Sequence, residues 1–361
     1  MAKKKETPIK RSLPTSKKII FVSLLIVILV IFVELVLRLT GFSYYGLSSH
    51  LYSSFVFDRD LKYRMVPGDH ILGDMKFHVN KWGYRGRDWE EKKKPGVFRI
   101  LVIGDSSTFG YGSLDSETYP RVLADILNAS GKSVEALNFG MIAYSSWGSV
   151  LDYKLRGSKF DPDMLIIFLG NWNDFHPAYR YPDITEKVYF RDYVARGVGV
   201  GDYSKPWYTL FKMGQIFLKI KDESIRKAEF KKDQARFANG YYVEDKAEFV
   251  RRVPVSEFEE NLKFFTDVAK RRDIPAIFIV PKLKPQRARE KPICELYRNK
   301  VKNIEQDDKI KLLNLDDIMQ NQDADEIWQD DGFHFKPKGN WLIAKGLASI
   351  IETSNLIPVE E

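Results

Sequence analysis

Cysteine is almost absent. Cys294 stands alone in 361 residues, which excludes a disulfide framework within the chain. It lies far from the N-terminus, so it is no acylated lipoprotein cysteine, and it reads as a small buried apolar side chain. Histidine is scarce too: His50, His70, His78, His176 and His334 are all there are. Neither H-E-x-x-H nor C-x-x-C occurs, so no metal is expected. Phosphate loops are also missing. "IGDSSTFGYG" (103–112) is glycine-rich, but no lysine follows Gly110, and Gly110-Tyr111-Gly112 runs on to Asp115 without a third glycine. No nucleotide or other cofactor is expected. The G-x-S-x-G elbow of α/β-hydrolases is absent around Ser106.

Excess charge is missing from the body of the protein. The net charge is +8, but Lys3, Lys4, Lys5, Lys10, Arg11, Lys17 and Lys18, against Glu6 alone, put most of it in the first 18 residues. The remainder is near neutral, and nucleic acid is not an expected partner.

That tail runs into "IIFVSLLIVILVIFVELVLRL" (19–39), uncharged from Ile19 to Val33, with Glu34 and Arg38 four apart on one helical face. At ~1.5 Å per residue the segment reaches about 31 Å, enough for a bilayer core. A cleaved signal peptide has a shorter apolar region, about 7–15 residues, and a small-residue cleavage site. The following "TGFSYYG" offers no such site. The segment therefore reads as an uncleaved single-span anchor, with a cleaved signal or a buried helix as its rivals. Basic residues on the N-terminal flank hold that end in the cytoplasm and place everything after Thr40 outside it.

Residues 40–95 are rich in aromatics (Phe42, Tyr44, Tyr45, Tyr52, Phe55, Phe57, Tyr63) and end in "KKKPG"; they read as a stalk or N-terminal extension packing partly on the domain that follows. From residue 96 to 353 strands alternate with helices. "VFRILVIG", "SVEALNFG", "MLIIFLG", "PAIFIVP" and "KLLNL" are apolar runs of the kind buried on both sheet faces. Between them lie "ETYPRVLADILNAS" with Gly131 as a C-cap, a helical stretch at 147–157, "SEFEENLKFFTDVAKRR" with a Ser256/Glu259 capping box, a helix over 287–304 and a last helix from Pro337 to Thr353. Five strands separated by helices predict an α/β fold with a parallel sheet, helices on both faces and ligands at the strands' carboxyl ends. An insertion at 175–253 breaks the alternation. Its "KPWYTLFKMGQIFLKIK" puts Trp207, Leu210, Phe211, Gly214 and Phe217 on one helical face, as a lid, a membrane-resting surface or a helix packed on its own domain. Residues 354–361 form a C-terminal tail.

Four strand ends carry the chemistry: Ser106 after the first core strand, Gly140 after the second, Asn173 after the third, and "DDGFHFKPKG", with Asp331 three residues before His334, after the last. A serine hydroxyl needs a base within hydrogen-bond reach, and a carboxylate at i−3 can fix the tautomer of that base. Taken singly, Ser106 or Ser107 could cap a helix, Gly140 and Asn173-Asp174 could be turn residues, and His334 could be structural.

Together, Gly104-Asp105-Ser106, Gly140, Asn173-Asp174 and Asp331-x-x-His334 resemble the SGNH, or GDSL, family of serine esterases and acyltransferases over roughly residues 97–353. The resemblance implies a three-layer α/β/α sandwich with a five-stranded, flavodoxin-like parallel sheet. It implies a catalytic set of Ser106, Asp331 and His334, with an oxyanion held by the Ser106 and Gly140 backbone N–H groups and the Asn173 side chain. Asn171 stands where the family usually has glycine, so two asparagines could present an amide; Asn173 is assigned because Asp174 follows it as in the motif. The implied substrate is an acylated small molecule or glycan. Water as acceptor makes the protein an esterase and a sugar hydroxyl makes it an O-acyltransferase. Membrane-anchored members with a stalk resemble proteins acting on acetylated cell-surface polysaccharide, which makes cell-envelope polysaccharide machinery a possible partner. The rival reading is a non-catalytic scaffold that binds a glycan or a partner protein.

Overall fold

The computed structural model describes residues 14–40, 54–58, 60–72, 75–176 and 250–358, with scattered positions between 212 and 246. Two compact units emerge, 1–49 with 203–230, and 50–202 with 231–361. The described part of the first is chiefly helix α1 (Thr15–Leu39), whose most apolar stretch has a mean hydropathy of 3.3 and is nowhere buried. By length and composition it suits a membrane span or a signal sequence. Glu34 accepts from Arg38 Nε (2.8 Å) and from the Lys212 N–H (2.9 Å), so the one carboxylate of this apolar helix is compensated. Trp207, Leu210, Phe211 and Phe217, expected to share a face of the insertion, lie outside the described residues.

The second unit opens with two antiparallel hairpins, β1 (Phe55–Asp58) with β2 (Lys62–Met65), and β3 (Gly68–Leu72) with β4 (Met75–Val79). Then come β5 (Phe98–Gly104), helix α2 (Ser106–Phe109), α3 (Tyr119–Ala129), β6 (Val134–Gly140), α4 (Ser146–Leu155), β7 (Met164–Phe168), α5 (Val255–Arg272), β8 (Ala276–Val280), α6 (Pro285–Glu290), α7 (Cys294–Lys302), β9 (Ile310–Asn314), short α8 (Leu315–Met319) and α9 (Ala324–Ile327), and α10 (Pro337–Thr353). The five core strands form one parallel sheet in the order β6-β5-β7-β8-β9.

The continuous apolar strands are explained by their two covered faces. Leu101, Ile103, Leu165, Ile167 and Phe278 point to the side packed by α4, α5 and α7, while Ile100, Val102, Ile166, Ile277 and Ile279 point to the side packed by α3 and α10. This is the expected three-layer sandwich. Because the chain steps from β5 outward first to β6 and then to β7 on the opposite side, the end of β5 is the topological switch point where a crevice opens.

Local signals mostly hold. Past α3, Gly131 adopts φ +85 and its N–H caps the Asn128 carbonyl, as a left-handed C-cap requires. The Ser256/Glu259 capping box does not form. Helix α5 starts a residue earlier, its first bond running from the Phe258 N–H to Pro254 O (2.9 Å), so Ser256 lies inside the first turn. The helix expected over 287–304 is two helices, because Pro292 cannot donate and forces Lys291 out of helical geometry (φ −134, ψ 67).

The described residues between 54 and 95 pack into the same core as the sheet. Met65, Phe77, Val79, Tyr84 and Trp89 are buried with Phe139 and Phe160, and the Tyr84 and Phe139 rings lie 4.0 Å apart. Tyr84 Oη donates to Asp152 Oδ1 (2.6 Å), with Arg156 nearby bound to Asp58. Burial pushes the Asp152 carboxyl up to about 6, against the opposing pull of the Tyr84 bond and Arg156. Since its ordinary value is lower, the folded state holds a proton here that the unfolded chain releases between about pH 4 and 6, and stability falls as pH rises through that window. Asp152→Asn keeps the Tyr84 bond and removes the titration. The variant should match wild type near pH 4 and gain on it toward pH 7 by up to about 3 kcal/mol. Urea melts across that range check this; a pH-independent gap between the two proteins would contradict it.

Candidate active site

Strand β5 stops at Gly104, and Asp105 caps the next helix through Oδ1, which accepts from the Ser107 N–H (2.8 Å). This cap puts Ser106 at the first position of α2, directly over the switch point. Asp331 lies in the turn before α10. Its Oδ1 accepts from the Phe333 and His334 N–H groups (3.0 Å each), curling the turn so that the histidine ring faces its own carboxylate. His334 Nδ1 donates to Asp331 Oδ2 (2.7 Å), and Ser106 Oγ donates to His334 Nε2 (2.7 Å). Burial raises the Asp331 carboxyl, but the bond and charge of His334 and two backbone N–H groups outweigh it and hold it below the ordinary value. The carboxylate therefore stays ionised and selects the tautomer in which Nε2 is free to take a proton. Ser106 and His334 are both buried. The imidazole is enclosed by the rings of Tyr111 (4.6 Å) and Phe333 (4.3 Å), and Trp172 stacks flat on Phe333 (4.3 Å, 6°).

Asn173 is brought to the same place, with its Nδ2 3.3 Å from Asp105 Oδ2. Asp174 is buried behind it and accepts from the Ser146 N–H (2.7 Å) and the Gly170 N–H (3.1 Å); burial pushes this carboxyl up to about 6. Gly140 pairs with Gly104 at the sheet's end, and its N–H donates to Asn138 Oδ1 (2.9 Å). Three residues on, Ala143 holds φ +61, and its N–H has no partner among the described residues. Asn171 is turned elsewhere: its Nδ2 donates to Ser107 Oγ (2.7 Å) and to Phe333 O (3.2 Å). His176 packs against Trp172 and Phe175.

Residues 102–342 match the GDSL-like Lipase/Acylhydrolase family. The chain belongs to this family. The solved structures it resembles include the lipase/acylhydrolase from Enterococcus faecalis, at 17% identity and TM-score 0.45, covering 73% of this chain and 100% of that one. Another is the psychrotrophic esterase EstA from Pseudoalteromonas sp., at 15% and 0.40, covering 71% and 97%. A third is a family 3 carbohydrate esterase from Clostridium thermocellum, at 12% and 0.39, covering 72% and 98%. No curated protein matches the chain significantly in sequence. As a GDSL-like acylhydrolase the protein is a hydrolase acting on ester bonds.

Two elements of this acylhydrolase's site were invisible in sequence. Arg85, fully buried, donates to Phe109 O (3.2 Å), Gly110 O (2.7 Å) and Ser113 O (2.5 Å) and pairs with Asp115, so it ties down the segment leaving the serine. Its only sequence signal is a glycine on either side, Gly83 and Gly86, both at positive φ, which marks a tight excursion without saying where it goes. Gln329 Nε2 donates to Tyr111 O (2.7 Å) and Phe335 O (3.1 Å), joining the serine and histidine loops.

Gly140 has a steric reason to be glycine. A Cβ there would lie 2.1 Å from Phe109 N and 2.5 Å from the Thr108 carbonyl carbon, so any side chain would push on the backbone of the serine helix. Gly140→Ala is expected to destabilise the fold by about 2–3 kcal/mol through overpacking. It should also slow fluorophosphonate labelling of Ser106 severalfold. Thermal melts and labelling time courses check both effects.

Proposed function

We propose that the protein is a membrane-anchored, extracytoplasmic esterase that removes O-acyl groups, acetyl first among them, from an acylated small molecule or glycan through a Ser106 acyl-enzyme. The observation that carries this is the continuous relay from Asp331 through His334 to Ser106, with both links at 2.7 Å.

In the first half-reaction Ser106 Oγ attacks the ester carbonyl while its proton passes to His334 Nε2. The negative charge that appears on the carbonyl oxygen is met by the Ser106 N–H and the Asn173 amide. The loop leaving β6 adds the backbone N–H of Gly140, which here is donated to Asn138 Oδ1 (2.9 Å). Collapse breaks the C–O bond to the leaving alcohol, which takes the proton from His334, and leaves acyl-Ser106. In the second half-reaction water attacks the acyl carbon, gives its proton to His334 and releases the carboxylic acid as the proton returns to Ser106. A sugar hydroxyl in place of that water turns the same acyl-enzyme to O-acyl transfer.

Full-length protein in detergent micelles should hydrolyse p-nitrophenyl acetate, and a fluorophosphonate probe should label Ser106 alone. An unlabelled protein inactive on every short acyl ester would favour a binding scaffold instead. The basic flank and the apolar helix support an N-in orientation. Because Cys294 is buried and burial raises its thiol to about 12, background labelling should be negligible. A cysteine placed at the exposed position of Lys345 should then react with a membrane-impermeant maleimide on intact cells. Labelling only after lysis would reverse the orientation.

A further inference from the structure

Resting on the reading of Ser106 and His334 as nucleophile and base, we propose that Asn171 is a positioning residue that sets the distance between them. Its Nδ2 carries two hydrogens, and both are used: one goes to the hydroxyl of Ser107, the other to the carbonyl of Phe333 (2.7 and 3.2 Å). Ser107 directly follows the nucleophile and Phe333 directly precedes the base, so a single amide bridges the chain neighbours of the two reacting side chains. The Ser107 hydroxyl, having accepted from Asn171, donates onward to Phe333 O (3.4 Å) and closes a triangle over three loops that are remote in sequence. The nitrogen is thereby fixed by its neighbours on two sides.

The other end of the same side chain argues against a purely structural role. Asn171 is 1% exposed, and its Oδ1 has no hydrogen-bond partner among the described residues. A buried acceptor without a partner destabilises a fold. A position chosen for stability alone would hold an apolar residue of the same size; an amide here is explained by what its nitrogen does. The backbone supports the assignment. Gly170, just before it, takes φ +78 against the Phe258 ring, and Asp174, just after, receives the Gly170 and Ser146 N–H groups, so the loop that carries Asn171 is held at both ends.

The test compares Asn171→Leu, Asn171→Asp and Ser107→Ala with wild type, using full-length protein in micelles and counting sites by fluorophosphonate titration. A misplacement of the base by a fraction of an ångström to about 1 Å is expected to lower kcat per titrated site by about 10–100-fold. KM for p-nitrophenyl acetate should stay within about threefold, because the ground-state contacts of the substrate are untouched. Asn171→Leu should melt at or above the wild-type temperature, since it removes the orphaned oxygen. The double variant with Ser107→Ala should lose little more than Asn171→Leu alone, as two members of one triangle are not additive.

A readout free of turnover is the downfield proton resonance of His334 Nδ1 bound to Asp331, sharp in wild type and broadened in Asn171→Leu and Asn171→Asp. A kcat per site within twofold of wild type, or a loss of activity that follows only the loss of folded protein, overturns the proposal; so does an Nδ1 resonance unchanged in both variants. If wild type neither labels nor turns over, the reading of Ser106 as nucleophile fails, and the resonance alone still decides whether Asn171 holds the histidine loop.

Discussion

Ser106→Ala is expected to lower turnover of p-nitrophenyl acetate by about 10⁴–10⁶-fold while leaving the fold intact. The Ser106 hydroxyl is the group hydrogen-bonded to His334 Nε2 among the described residues, and removing it leaves only slow attack by water. Alanine suits the first turn of a helix, and the Asp105 cap that places this residue bonds the Ser107 N–H, which the substitution does not touch. The melting temperature should therefore stay within a few degrees, and the probe that labels wild type should find nothing. Steady-state kinetics beside a thermal melt checks both halves. Activity within tenfold of wild type in a folded Ser106→Ala protein would move the chemistry to another residue.

The second large effect belongs to Arg85, which touches no substrate. Its guanidinium is 1% exposed, and burial lowers its pKa while Asp115 opposes the shift. Arg85→Met keeps the volume of the stem and deletes the donors, leaving the Ser113 carbonyl without one, the Gly110 and Phe109 carbonyls with only the Ser113 N–H (3.0 Å) and Asn138 Nδ2 (3.5 Å), and Asp115 without its cation. Each deserted buried acceptor costs about 1–3 kcal/mol, and the Asp115 pair, whose carboxylate is 37% exposed, adds about 1 kcal/mol. The expected net loss is about 3–5 kcal/mol, or a fall of about 10 °C in melting temperature for a domain of this size. Arg85→Lys should recover little of it, because one ammonium cannot reach carbonyls spread around a planar fork. Urea and thermal unfolding measure the loss. A variant melting within 2 °C of wild type would show that the 80–86 excursion is held by its aromatics instead.

These two residues also show how legible the protein was. The place of Ser106 was legible because a largely apolar strand of seven residues stops at a glycine just before it, while its reading as a nucleophile came from four motifs taken together in the resemblance. The same holds for Asp331 and His334, which are three apart, so that one turn brings carboxylate and ring together. The core strands were legible because both of their faces are covered, which makes the central strands β7 and β8 apolar at every position and the others largely so. Arg85 was not legible, because nothing near it in sequence says that it will meet carbonyls of residues 109–113. The hairpins between 55 and 79 were missed for a different reason: strands of four and five residues are so short that even the full alternation of β4 (MKFHV, buried at every second residue) does not separate them from a stalk.

Between the two asparagines, composition and spacing left an open choice. The turn after β7 sends the two in different directions: it carries Asn171 inward to Ser107 and Phe333 and leaves Asn173 beside Asp105. What the chain determined by itself was the order of the core strands and their helices and the apolar N-terminal helix, since each depends on neighbours within a few residues. Which loops would meet, and which amide would hold two of them together, depends on contacts between residues far apart in the chain. Only the packing of helices on both faces of the sheet brings those residues within hydrogen-bond distance.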